Sequence, residues 1–122
     1  MTQTITVLVV DDSRVSRLMA RQYIHNLHAD WRVEEAGTGE EALGKVESIT
    51  PDLVLMDVNM PGMGGIAAAE QMRARLPLAR ISLLTANVQS ATRARAEELG
   101  IGFMEKPITE ARIAQLLAPL ES

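Results

Sequence analysis

Leu53-Val54-Leu55-Met56-Asp57-Val58-Asn59-Met60-Pro61-Gly62 is the stretch from which the fold is read. Four apolar residues lead directly into a carboxylate, and a Pro-Gly pair follows. A short apolar run bounded by turn residues reads as a fully buried strand. Pro61 presets φ and Gly62 tolerates conformations closed to other residues, so the chain turns there. Asp57 then stands at the C-terminal end of a central strand. In open α/β sheets that edge is where ligands and chemistry gather. The plainer reading makes Asp57 a turn-capping residue. The flanking sequence decides between the two.

Upstream, Ile5-Thr6-Val7-Leu8-Val9-Val10 is β-branched and apolar, a second buried strand ending in Asp11-Asp12-Ser13. From Arg14 the period becomes helical. Val15, Leu18, Met19, Gln22 and Leu27 sketch an inward face through about His28, with Arg14, Arg17 and Arg21 on the wet side. Arg32-Val33-Glu34-Glu35-Ala36 is short and polar, as an edge strand would be. Thr38-Gly39-Glu40-Glu41 fits a capping box, opening a helix to about Ser48 with Ala42, Leu43 and Val46 inward.

Downstream, Ile66, Ala69, Met72 and Leu76 suggest a third helix, with Gly64 and Gly65 in an irregular start and Pro77 as its end. Arg80 to Thr85 reads as a fourth strand. Asn87 can cap a fourth helix to about Leu99, poor in large apolar groups and stopped by Gly100. Ile101-Gly102-Phe103-Met104 is a short fifth strand, and Thr109 to about Leu117 the last helix, with Ile113, Leu116 and Leu117 inward. Five β-α units of this kind build a parallel sheet covered by helices on both faces. No linker divides the chain, so residues 1–122 read as a single domain.

The bulk composition narrows the function. There is no cysteine, which excludes disulfides, thiolate metal sites and cysteine nucleophiles. Net charge is −4, and the acidity is concentrated in the first half. With one Trp, one Tyr and one Phe there is neither a basic footprint nor a stacking platform, so direct nucleic-acid binding is not expected. No apolar run reaches the 18 or so residues of a membrane span, and the N-terminus lacks a signal peptide's basic region. The expected location is cytoplasmic.

The β-α pattern gathers distant residues. Asp11, Asp12, Asp57, Thr85 and Lys106 all fall at the ends of strands on one edge of the sheet. Three carboxylates together raise one another's pKa unless a cation joins them. No His, Cys or Met is placed to favour a softer metal, and few protein ligands on loops suit Mg2+ that keeps several waters.

Asp11-Asp12, Met56 through Gly62, Thr85-Ala86 and Phe103 through Lys106-Pro107 resemble the receiver domain of two-component response regulators, in order and over nearly the whole chain. The resemblance implies a flavodoxin-like (βα)5 fold with strand order 2-1-3-4-5. It makes Asp57 the acceptor of a phosphoryl group from a histidine kinase or phosphotransfer protein. Asp12, Asp57 and the Asn59 carbonyl would ligate Mg2+, with Asp11 acting mostly through metal-bound water. Thr85 would hydrogen-bond the phosphoryl group and Lys106 would pair with it. Phe103 matches the switch aromatic, the alternative being a fixed core ring. The Lys106-Pro107 peptide would be cis. Asn59 and Asn87 hold the positions that tune aspartyl-phosphate hydrolysis, and as amides neither can act as a general base.

Output is expected through a protein effector bound at the face of the fourth helix, fifth strand and fifth helix. Nothing follows the last helix, so the expected form is a stand-alone, chemotaxis-type receiver with no enzymatic activity beyond its own phosphorylation and dephosphorylation. Two alternatives remain: a receiver excised from a longer regulator or hybrid kinase, or a phosphorelay shuttle. A flavin-binding redox protein of the same topology is a third. Its phosphate loop should be rich in Ser, Thr and Gly, whereas Asp11-Asp12 would repel a bare phosphate.

Overall fold

The computed structural model describes residues 4–59, 62, 64–86 and 90–121. Five strands alternate with five helices: β1 (Thr6–Val10), α1 (Arg14–Leu27), β2 (Arg32–Ala36), α2 (Gly39–Ile49), β3 (Leu53–Asp57), α3 (Gly64–Arg75), β4 (Arg80–Thr85), α4 (Ser90–Leu99), β5 (Gly102–Glu105) and α5 (Glu110–Leu117). A 3-10 turn, Ala118–Leu120, closes the described chain. All strand pairs are parallel, in the order β2-β1-β3-β4-β5. This is the flavodoxin-like (βα)5 arrangement expected from the sequence.

The strands read as continuous apolar runs because helices cover both faces of the sheet. Leu8, Val10, Val54, Met56, Ile81 and Leu83 point to the side packed by α2, α3 and α4. Val7, Val9, Leu53, Leu55 and Leu84 alternate to the other side, against Ala20 and Ile24 of α1 and Ile113 and Leu117 of α5. β2 is the polar edge, with only Val33 and Ala36 of its five residues buried.

α1 departs from its expected orientation. Its buried residues are Ala20 and Ile24. Val15, Leu18, Met19 and Leu27 are exposed, and Gln22 lies outside as well. Arg17 and Arg21, assigned to the wet side, instead reach across to β2. Arg17 Nε donates to Glu35 Oε1 at 3.0 Å, and Arg21 Nε donates to Glu35 Oε2 at 2.9 Å. The helix is apolar on more than one side, so periodicity alone does not pick the face. A small residue at position 20 lets it lie close to the sheet, and the ion pairs with Glu35 fix its rotation.

Local signals elsewhere act as expected, with small shifts. Thr38 Oγ1 accepts from Glu41 N at 3.0 Å, while Glu41 reaches back one residue further than a standard box, to Gly37 N. Thr109 caps α5 through Arg112 N. α2 ends at Thr50, whose φ of 40° is left-handed, a costly setting for a β-branched residue. Gly64 and Gly65 are the first two residues of α3, and Gly64 has a φ of +79°, the irregular start expected. α4 is lightly held. It buries only Thr92 and Ala96, and its Arg95 pairs outward with Glu70 of α3.

Candidate functional site

Four strand ends supply the site at one edge of the sheet. β1 ends at Val10 and hands on to Asp11, which is 3% exposed. β3 ends in Asp57, 4% exposed. β4 ends in buried Thr85, and Lys106 follows β5. The Lys106 backbone N–H donates to Thr85 O at 2.7 Å, which ties the last two strand ends together. The Lys106-Pro107 peptide is cis, as the resemblance implies.

The side chains converge as the sequence suggested. Carboxylate oxygens of Asp11, Asp12 and Asp57 lie within 4.8 Å of one another, the first and third buried and Asp12 exposed. Lys106 Nζ stands 3.3 Å from Asp11 Oδ2 and 3.4 Å from Asp57 Oδ1. One ammonium against three carboxylates leaves excess negative charge. Burial pushes the Asp57 carboxyl above its ordinary range, and the Asp11 charge pushes it further. Lys106 and the Asn59 backbone N–H, 3.2 Å from Asp57 Oδ1, pull the other way without cancelling the rise. Two buried acids and one exposed acid, all with oxygen donors, suit a hard divalent cation approached from solvent. Mg2+ fits this set.

Local backbone chemistry aims these groups. Asp11 Oδ1 accepts from Ser13 N at 2.9 Å, folding the carboxylate over the start of α1, while Ser13 caps that helix. Gly62 has a φ of +79°, the left-handed turn expected after Asp57. Met60 and Pro61, also part of that expected turn, lie outside the described residues, as does Asn87. At Gly65 a Cβ would fall 2.1 Å from the Asp57 carbonyl oxygen and 2.8 Å from the Val58 Cα. Only glycine lets α3 start so close beneath the end of β3.

Two neighbours of the site were not foreseen. A cavity of about 410 Å³ beside Lys106 is lined by Ser16, Met19, Ala86, Pro107 and Ile108. Met19, which lines it, is exposed together with Val15 and Leu18 of the same helix, an apolar ledge on α1. The second is Arg17, whose Nη1 donates to the Asp11 carbonyl oxygen at 2.6 Å. The one available signal was its i,i+4 spacing with Arg21 on the same helix face, facing an acidic edge strand.

Phe103 sits at the β5 edge opposite Leu83, half-buried against the core on the α4 side. The Arg93 guanidinium of α4 lies over its ring, 5.8 Å from the centroid. The ring is thus neither out in solvent nor fully internal.

A family model described as the response regulator receiver domain matches residues 7–118. The chain belongs to this family. Among curated relatives, the receiver is 34% identical over 109 residues to the response regulator protein VraR of Staphylococcus aureus and 32% identical over 110 residues to the transcriptional activator protein ExaE of Pseudomonas putida. Each alignment takes in 89% of this chain but only 52% and 51% of those proteins, so the receiver spans about half the length of the curated relatives it matches. Chemotaxis protein CheY4 of Vibrio cholerae superposes with a TM-score of 0.87 at 28% identity, covering 96% of this chain and 98% of that one. The buried acidic cluster at the strand ends is consistent with phosphorylation-based signalling. No helix among the described residues is long and apolar enough to cross a membrane.

Proposed function

We propose that the receiver is a phosphorylation-dependent switch in which Asp57 takes a phosphoryl group from a histidine kinase or phosphotransfer protein. The observation that carries this reading is the meeting of buried Asp57 with Asp11, Asp12 and Lys106. Asp11, Asp12, Asp57 and the Asn59 carbonyl would hold Mg2+, which when bound neutralises the acids and the equatorial phosphoryl oxygens. A carboxylate oxygen of Asp57 attacks phosphorus. The P–N bond to the donor imidazole breaks as the P–O bond forms, and the freed imidazole takes up a proton. Lys106, already within 3.4 Å of Asp57, moves its charge onto the transferred group. The Thr85 hydroxyl donates to another phosphoryl oxygen. The apolar ledge of Val15, Leu18 and Met19 offers the donor a footing beside the acceptor.

Drawing Thr85 toward the phosphoryl group vacates space beneath α4, into which Phe103 can turn. Arg93 must release the ring for this to happen. Completing the burial of the half-buried ring contributes about half of the roughly 1.5–3 kcal/mol of a full burial, enough to bias the α4-β5-α5 face toward a protein effector without locking it. Phe103 has no hydroxyl, so this switch works by packing.

The expected stand-alone form has one competitor with its own observation. Spanning half of its curated relatives favours a receiver attached to an effector domain. Both forms share the chemistry above. Capture of partners with and without a phosphoryl mimic separates them: one captures a separate protein, the other acts on its own chain.

A small phosphodonor with Mg2+ tests the reading, followed by intact-mass analysis. The native chain should gain one phosphoryl group and Asp57→Asn none. Mg2+ at ten times its Kd should raise stability by about 1.4 kcal/mol, and Asp12→Ala should lose most of that gain. Equal modification of Asp57→Asn moves the acceptor elsewhere, and a melting temperature indifferent to Mg2+ removes the cation.

A further inference from the structure

We infer that Arg17 is a positioning residue for the acidic cluster, holding the Asp11–Asp12 peptide so that both carboxylates face the cation. The inference rests on the Mg2+-dependent reading above and deepens it. Asp11 lies just beyond the last ladder pair of β1 and β2, Val10 with Ala36. Its N–H still reaches Ala36 O at 3.1 Å, but its carbonyl has passed the end of β2. Arg17 Nη1 binds that oxygen at 2.6 Å. The oxygen belongs to a planar unit that ends at the Asp12 Cα. Fixing it fixes the direction in which Asp12, the exposed member of the cluster, leaves the strand.

The guanidinium is itself held from the sheet. Arg17 Nε donates to Glu35 Oε1 at 3.0 Å, and the Arg17 side chain is only 18% exposed. Glu35 is the register partner of Val9, two residues before Asp11. Its main-chain oxygen takes Lys45 Nζ at 2.6 Å. Burial raises the Glu35 carboxyl, but hydrogen bonds and charge from Arg21 and Arg17 outweigh it and hold the group below the carboxylate range. The clamp is therefore charged at neutral pH. A planar fork holds a carboxylate and a carbonyl in a fixed mutual orientation, which the freely rotating ammonium of a lysine does not impose. Orientation supplied from behind the ligands is a common determinant of metal affinity.

Arg21 provides the control. It shares the same Glu35 carboxylate, yet its other bond goes to the Val33 carbonyl at 3.0 Å and not to Asp11. A merely structural role would make the two arginines equivalent.

The experiment is an NMR titration with Mg2+ alone, following the amides of Asp12, Ser13 and Asn59 in the native chain, Arg17→Ala, Arg17→Lys and Arg21→Ala. Arg17→Ala should weaken Mg2+ about tenfold. Arg17→Lys should fall between, and Arg21→Ala should stay within about twofold of native. Before any Mg2+ is added, the Ser13 amide should shift in Arg17→Ala and stay in place in Arg21→Ala. If Arg17→Ala loses its fold, Arg17→Lys against Arg21→Lys carries the same contrast. Equal weakening by the two positions, or native affinity in Arg17→Ala, overturns the inference alone. A native chain whose amides ignore Mg2+ overturns the reading of the cluster and the inference together.

Discussion

Gly65→Ala is the sharpest perturbation of β3 that leaves every charged group in place. The added Cβ would stand 2.1 Å from Asp57 O, 2.8 Å from Val58 Cα and 2.9 Å from Asp57 C. All three are backbone atoms, so no side chain can rotate away. Reaching an ordinary contact near 3.4 Å requires α3 and the end of β3 to part by more than about 1 Å. Overpacking of this kind costs about 1–3 kcal/mol, and an immobile neighbour places it at the upper end. The gain in helix propensity, under about 1 kcal/mol, offsets part of that. The net loss should be about 2 kcal/mol, or roughly 5–10 °C in melting temperature for a chain of this size. Gly44→Ala is the matched control, because it is an exposed helical site with nothing within 4 Å of a new Cβ. It should gain about 0.5–1 kcal/mol. Thermal and urea unfolding of both variants read the difference. If Gly65→Ala is as stable as native, or both move together, the close approach of α3 to the end of β3 does not exist.

Two further outcomes follow from the same structure. Asp57 has a raised carboxyl pKa, so between about 3.8 and that raised value the folded chain binds more protons than the unfolded one, and stability falls as pH rises through this window. Asp57→Asn should therefore melt higher than native at pH 7 without Mg2+, with the gap closing toward pH 3.5; a gap independent of pH would show that ionisation is not its cause. Thr50 sits at φ 40°, and Thr50→Gly should stabilise by about 1 kcal/mol by removing the left-handed strain, whereas an unfolding midpoint that falls would show the threonine side chain to be needed there.

The strand pattern was legible because a doubly covered parallel sheet writes itself as unbroken apolar runs. β3 and β4 begin and end at the expected residues, and so does polar β2. The acidic cluster was legible for a related reason: once the strands are placed, their ends coincide. What sequence could not supply was rotation and long-range pairing. Val15, Leu18 and Met19 have helical spacing as good as that of Ala20 and Ile24, yet the exposed set is the larger and more apolar one. The choice is made by Glu35, eighteen residues from Arg17, and by how closely α1 must approach the sheet. Gly65 was read as a helix-start irregularity, because nothing local reveals that a backbone oxygen occupies the place of its missing side chain.

The meagre anchorage of α4 divides the molecule into two tiers of cooperativity. This helix fully buries only two small side chains, with Leu99 partly buried beside them, Arg93 over the Phe103 ring and an outward ion pair, whereas the central strands are sealed on both faces. Amide hydrogens of α4 should then exchange through a local opening costing a fraction of the global free energy, with those of β1, β3 and β4 exchanging only when the whole domain unfolds. Arg95 and Glu70 are each at least 39% exposed on the side chain, so their attraction weakens as salt shortens the screening length. Ionic strength is thereby a handle that loosens α4 while the sheet beneath it stays closed.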